Sequence, residues 1–121
     1  MRAVWSYWSK PHRAGQCYGW PSEFHHALSW SLSLQEARKH YPDTWLYTDD
    51  EGARLLVDEL RLPFVHVHTE LNALREQDPG WWALGKLHTY GLQTEPFVHV
   101  DYDAFMWLPL PEQLLHADVI A

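Results

Sequence analysis

The sequence predicts an α/β domain with a mostly parallel sheet and helices on both of its faces. Four short apolar runs, rich in β-forming residues, alternate with longer segments whose apolar residues recur at helical spacing. This alternation is typical of parallel sheets, because two parallel strands need a long crossover that usually forms a helix. The chain has 121 residues, which fits one domain over residues 1–121.

The first third of the chain predicts one strand and one long helix. Residues 3–8 are rich in β-formers and predict the first strand, and the prolines and glycines of residues 11–21 predict a loop. Ser22 is a suitable N-cap for the helix that follows. The period-two pattern of residues 28–34 leaves a strand open as an alternative there. The residues expected on the buried side of this helix are Phe24, Ala27, Leu28, Leu34, Ala37 and Tyr41.

The middle of the chain predicts a strand, a helix and a second strand. Residues 44–47 predict the second strand, and Thr48 with Glu51 matches the Thr-x-x-Glu capping box that starts a helix. Pro63 is expected to end that helix, and residues 64–68 predict the third strand.

The last third predicts a helix and the fourth strand. Residues 72–80 indicate a loop or a short helix, and residues 81–90 indicate a helix with Gly91 at its C′ position. Residues 97–100 predict the fourth strand. The element order is that of a Rossmann-like fold, in which ligands bind beyond the carboxyl ends of the strands.

Composition excludes several functional classes. The chain has 16 acidic and 9 basic residues and a formal net charge of −7, so nucleic acid is not an expected partner. Its one cysteine, Cys17, excludes an internal disulfide framework and multi-cysteine metal sites. We expect a cytoplasmic protein without a membrane span, because there is neither a long apolar run nor a signal peptide pattern.

Asp101 and Asp103 follow the fourth apolar run and suggest a cation site. Side chains two apart on a strand point to the same side, so the two carboxylates are expected to converge. A hard divalent cation such as Mg²⁺ or Mn²⁺ would relieve their repulsion and could also bind phosphate oxygens. The alternative is a pair of solvated aspartates that form a turn or cap a helix.

The segment from Trp82 to Asp103 resembles the GT-A-fold glycosyltransferases. In both, a helix with a basic residue, here Lys86, precedes an apolar strand that closes in Asp-x-Asp. The resemblance implies a metal-dependent transferase, or its donor-binding half, that takes a sugar from a nucleotide diphosphate sugar. We expect the nucleotide to be a uridine nucleotide. The chain is similar to the family's nucleotide-binding half and stops soon after the Asp-x-Asp strand, so it is expected to be truncated.

The resemblance also implies roles for individual residues. Asp103 would bind Mn²⁺ or Mg²⁺ directly, and Asp101 would bind the ribose, or the metal through water. Lys86 would reach the phosphates. Tyr7 or Trp8 at the end of the first strand could stack on the base, and Asp49 at the end of the second could accept a hydrogen bond from base or ribose. Capping a helix is the alternative for Asp49, and core packing is the alternative for both aromatic residues.

The sequence allows three other interpretations. His66, His68 and His99 could form a transition-metal site, but they lie in apolar runs, where histidines hydrogen-bonded within the protein are commoner than metal ligands. A non-catalytic α/β interaction module, acting as a homodimer or as a partner subunit of an enzyme, is the main alternative function. A haloacid-dehalogenase-like phosphatase also has an Asp-x-Asp strand, but its motif would open the domain.

Overall fold

The computed structural model describes residues 1–15 and 19–118, and its architecture confirms the α/β prediction. The described strands form one four-stranded, all-parallel sheet in the order β3-β2-β1-β4. This is a Rossmann-like order. The strands are β1 (Arg2–Tyr7), β2 (Thr44–Thr48), β3 (His66–His68) and β4 (Phe97–His99). The α-helices are α1 (Ser9–Arg13), α2 (Glu23–Arg38), α3 (Asp50–Ala53) and α4 (Leu84–Gly91).

Short non-α helical segments complete the fold. Helix α3 continues directly into a π-helical segment, Arg54–Glu59. Two 3₁₀ turns, Glu70–Leu74 and Glu112–Leu114, follow β3 and β4. No helix in the described part of the chain is long and apolar enough to cross a membrane.

Helices cover both faces of the sheet. Trp5 of β1 and Leu46 of β2 face α2, where they pack against Trp30 and Leu34 in the main core. Because side chains alternate along a strand, Val4 and Ser6 face the other side. That side is covered by α4, whose Tyr90 contacts the ring of His99.

Helix α2 begins where the sequence predicted, but its buried face matches the expected one only in its second half, at Leu34 and Ala37. Ser22 caps it, accepting a hydrogen bond from the backbone N–H of His25. Phe24 and Leu28 were expected in the core but are 68% and 50% exposed. The buried face includes His26, Trp30 and Ser33, and each of these side chains takes part in a hydrogen bond. A buried serine costs little when its hydroxyl is hydrogen-bonded, so this polar-looking face can pack inward.

Other predicted boundaries differ locally. Residues 11–21 do not form one loop, because α1 includes Pro11 in its first turn, where a missing N–H is tolerated. The capping-box assignment to Thr48 is wrong. Asp49 is the N-cap of α3, while the Thr48 hydroxyl donates to the Tyr7 carbonyl.

Helix α4 and strand β4 are shorter than predicted. Helix α4 starts at Leu84, and Gly91 is its last residue and not its C′ residue. Strand β4 ends at His99. Cys17 lies outside the described residues.

Candidate functional site

A cleft of about 320 Å³ opens at the carboxyl edge of the sheet, beside β1 and β4. The chain passes from β1 to β2 and β3 on one side and then returns to place β4 on the other side of β1. Such a switch point separates the loops that leave two neighbouring strands and is where open α/β sheets bind ligands. The cleft is lined by Ser6, Tyr7, Trp8, Pro11, Trp82, Gly85, Lys86, Asp101, Tyr102 and Asp103.

Lys86 reaches the cleft from the first turn of α4. Its ammonium lies 2.7 Å from Oδ1 and 2.8 Å from Oδ2 of Asp101. Gly85 makes this approach possible, because a Cβ at that position would stand only 2.9 Å from Cβ of Trp8. The absence of a side chain therefore lets α4 pack closely against the end of β1.

Asp101 and Asp103 both line the cleft, but not for the reason that the sequence suggested. They follow the end of β4 and belong to a turn, closed by a hydrogen bond from Ala104 N to Asp101 O at 2.9 Å. The same-side rule for strands therefore does not apply to them. Asp101 is half-buried and paired with Lys86, whereas Asp103 is exposed.

His99 connects Asp101 to β1. Its Nε2 lies 2.9 Å from the Ser6 hydroxyl, and its Nδ1 lies 3.7 Å from Oδ1 of Asp101. Burial lowers the pKa of His99 to about 4, although Asp101 acts in the opposite direction. The ring is therefore neutral near pH 7. Sequence reasoning did not link His99 to Ser6, because this contact depends on the register of β1 with β4.

The aromatic side chain most open to a ligand is one that the sequence analysis did not select. Tyr7 and Trp8 line the cleft but are only 6% and 5% exposed, whereas Trp82 is 54% exposed. Lys86 lies over the Trp82 ring, with Nζ 5.8 Å from its centroid. Lys86 and Trp82 are four residues apart, and this spacing in a helical segment could have indicated that their side chains lie close together.

Asp49 lies outside this cleft and is engaged within the protein. Its Oδ2 accepts hydrogen bonds from the backbone N–H and the hydroxyl of Ser9, and its Oδ1 accepts one from Gly52 N. Asp49 is also buried. This geometry matches the capping alternative for Asp49.

A second cluster of ionisable side chains lies at the start of α2. Ligand-type atoms of His12, Glu23 and His26 come within 4.8 Å of one another, and sequence reasoning missed the group. Its one signal was the i,i+3 spacing of Glu23 and His26. His12 Nε2 is 3.2 Å from Glu23 Oε1, and the two imidazoles stack with centroids 4.4 Å apart.

The hydrogen bonds of this cluster do not fit a metal centre. A histidine that binds a metal through one nitrogen normally donates its other N–H to an acceptor. His26 Nε2 instead accepts from the indole N–H of Trp30 at 3.1 Å, and the buried Nδ1 of His12 has no partner among the described residues. Burial, with His12 adding to it, lowers the pKa of His26 to about 4. We therefore interpret the cluster as a contact of the Glu23 carboxylate with the rings of His12 and His26, and not as a metal site.

The strand histidines have partners within the protein. His66 Nε2 lies 3.2 Å from Asp43 Oδ1, and His68 Nδ1 lies 3.3 Å from Glu70 Oε1. Both rings pack against Trp45. Within residues 1–15 and 19–118, neither belongs to a group of three metal-ligating side chains.

Comparisons with known proteins identify the family and leave its activity open. No curated protein and no solved structure matches this chain. The sequence profile of a family described as "Family of unknown function (DUF6734)" matches residues 1–121. Because this match spans the chain from end to end, the protein belongs to family DUF6734.

Proposed function

We propose that this protein binds a nucleotide diphosphate sugar in the switch-point cleft and takes part in glycosyl transfer as its donor-binding part. The observation that supports this proposal is the meeting of Lys86, Asp101 and Asp103 with an exposed indole at the carboxyl edge of the sheet. An ammonium group and carboxylates beside an exposed indole ring suit a ligand that has phosphates, a ribose and a base.

Lys86 is suited to the phosphates. Its side chain is one-third exposed, and its ammonium already lies between the α4 wall and the turn after β4. A diphosphate entering the cleft could replace the Asp101 carboxylate as the partner of this ammonium. The formal charge of −7 would otherwise disfavour an anionic ligand, so a local cation is needed.

The residues of the cleft fit a divalent cation at one carboxylate. Asp103 is exposed, and Mg²⁺ commonly takes one or two protein carboxylates while phosphate oxygens and water complete its shell. Asp101 is already neutralised by Lys86, so it fits the ribose or an outer-sphere role better. Bound Mn²⁺ or Mg²⁺ would supply positive charge to a departing diphosphate.

Calorimetry with uridine diphosphate, with and without Mn²⁺, tests the proposal. We expect Mn²⁺-dependent binding that Asp103→Ala weakens by roughly tenfold or more, since it removes the metal ligand. Asp49→Ala is the matched control, because it removes a carboxylate outside the cleft and should lower stability but not affinity. Absence of binding, or equal affinity of wild type and Asp103→Ala, would contradict the proposal.

A non-catalytic interaction module is the second candidate. Trp81, Trp107 and Leu108 are 69%, 62% and 78% exposed, and large exposed apolar side chains favour a protein partner. Size-exclusion chromatography distinguishes the two. A stable dimer or a co-purifying subunit, together with no nucleotide affinity, would support the module.

A further inference from the structure

The ion pair in the cleft joins the two groups that a nucleotide and a cation would each need. Lys86 Nζ contacts both carboxylate oxygens of Asp101, at 2.7 and 2.8 Å. The proposed function requires this ammonium at the phosphates and this carboxylate near the ribose or the metal. In the structure, the Lys86 ammonium and the Asp101 carboxylate are therefore each bound to the other.

The two partners differ in their freedom to move. The Asp101 backbone carbonyl accepts a hydrogen bond from the Ser33 hydroxyl at 2.9 Å, and this hydroxyl in turn accepts from the indole N–H of the buried Trp5 at 3.0 Å. Asp101 is thus tied to the core through α2 and β1. Lys86 ends a flexible four-carbon stem, so the lysine is the partner that can leave.

We propose that Lys86 is a latch that makes the nucleotide and the divalent cation bind cooperatively. This inference rests on the proposed function and concerns the same cleft. A cation that arrives alone meets an ammonium at Asp101, and a nucleotide that arrives alone must compete with Asp101 for Lys86. When both arrive, Lys86 transfers to the diphosphate and Asp101 becomes available to the cation or the ribose.

The latch predicts different effects for two substitutions that each remove one carboxylate. Asp101→Asn frees Lys86, so in the presence of a chelator uridine diphosphate should bind about twofold to fivefold more tightly than to wild type, the effect expected of a partly exposed ion pair. Asp103→Asn leaves the latch intact and should not increase affinity under chelation. Asp103→Asn should lose Mn²⁺ dependence, because Asp103 is the proposed metal ligand.

Calorimetry in a chelator and again in Mn²⁺ measures these effects. Unchanged or weaker metal-free binding to Asp101→Asn would overturn the latch, as would an equal gain in Asp103→Asn. A failure of the proposed function looks different, because wild type would then not bind uridine diphosphate even with Mn²⁺.

A second measurement needs no nucleotide. Electron paramagnetic resonance of free Mn²⁺ reports how much of the ion each variant binds. Lys86→Met should bind Mn²⁺ about twofold to fivefold more tightly than wild type, because it removes the competing ammonium. Lys86→Arg should behave like wild type, since a guanidinium also pairs with a carboxylate.

Lys39→Met is the matched control for this measurement. It removes a lysine that pairs with Glu36 on α2, outside the cleft lining, and should leave Mn²⁺ binding unchanged. Equal binding by wild type and Lys86→Met would overturn the latch, even if that binding were undetectable in both.

Discussion

His99 shows how one buried side chain links the cleft to the stability of the fold. Its ring is held by Ser6 on β1 and covered by Tyr90 on α4. Burial lowers the pKa of His99 to about 4, the nearby carboxylate of Asp101 raises it, and the Lys86 ammonium lowers it. The folded protein therefore favours neutral His99, whereas an unfolded chain protonates it near its ordinary pKa of about 6.5.

This difference predicts that the protein loses stability as the pH falls from about 6.5 to about 4. In that range the unfolded chain binds more protons than the folded one, so the free energy of unfolding decreases with falling pH. His26, whose pKa is also lowered to about 4, acts in the same direction. Each histidine should contribute on the order of 2 kcal/mol across the range.

Urea unfolding at pH 7 and at pH 4.5 checks this prediction through the variant His99→Gln. We expect the variant to lose clearly less stability on acidification than wild type, with the remaining loss due to His26 and the carboxylates. His116→Gln, at an exposed position, is the control and should keep the wild-type pH dependence. Identical pH slopes for His99→Gln and wild type would contradict the argument.

At the residue scale, the sequence indicates at which edge of the sheet the cleft residues lie, but not how they interact with one another. Lys86, Asp101 and Asp103 meet because α4 and the turn after β4 adjoin the same sheet edge, and this edge follows from element order alone. The pairing of Lys86 with Asp101 depends on helix packing, which spacing does not show. Asp49 illustrates the converse, since a polar residue after a strand serves helix capping as readily as ligand binding.

At the scale of elements, the first half of α2 shows why a periodic pattern can misplace the buried face of a helix. Its outward Phe24 and Leu28 are more apolar than the inward Ser29 and Ser33. The Ser33 hydroxyl is satisfied by the carbonyl of Asp101, 68 positions away in sequence. A periodicity argument considers only neighbouring residues, so it cannot detect a hydrogen bond that makes a serine suitable for the core.

The close contact between α4 and β1 supports a prediction about the position of the whole helix α4. Gly85→Ala would place a Cβ 2.9 Å from Cβ of Trp8, and neither atom belongs to the flexible end of a side chain. Helix α4 must then move away from β1, at a cost of about 1–3 kcal/mol, and it carries Lys86 away from Asp101. We expect lower stability in chemical denaturation and weaker nucleotide binding.

Gly91→Ala provides the control in the same helix. A Cβ there meets no atom within 4 Å, and alanine favours helical conformation, so stability should be unchanged or slightly higher. If both substitutions had the same effect, the close packing of α4 against Trp8 would not explain the glycine at position 85.

At the scale of the whole molecule, the cleft exists only when distant parts of the chain have assembled. Ser6 and His99 hydrogen-bond across 93 positions of sequence, and Lys86 reaches Asp101, next to His99 in the chain, from a third segment, α4. The same β1 strand contributes Trp5 to the main core. A ligand in the cleft therefore binds the folded chain and has no equivalent site in the unfolded chain.

This linkage predicts that uridine diphosphate and Mn²⁺ together raise the unfolding temperature of the entire domain. At a nucleotide concentration of about 100 times Kd, mass action adds about 2.7 kcal/mol, which corresponds to roughly 10 °C for a domain of this size. Differential scanning calorimetry gives the shift. Tryptophan fluorescence should give the same midpoint, since the buried Trp5 and Trp30 lie in the core that β1 shares with the cleft. Lys86→Met should show a smaller shift, because its cleft lacks the phosphate partner. A shift confined to one of the two probes would mean that the cleft and the core unfold separately, in conflict with a sheet whose β1 strand belongs to both.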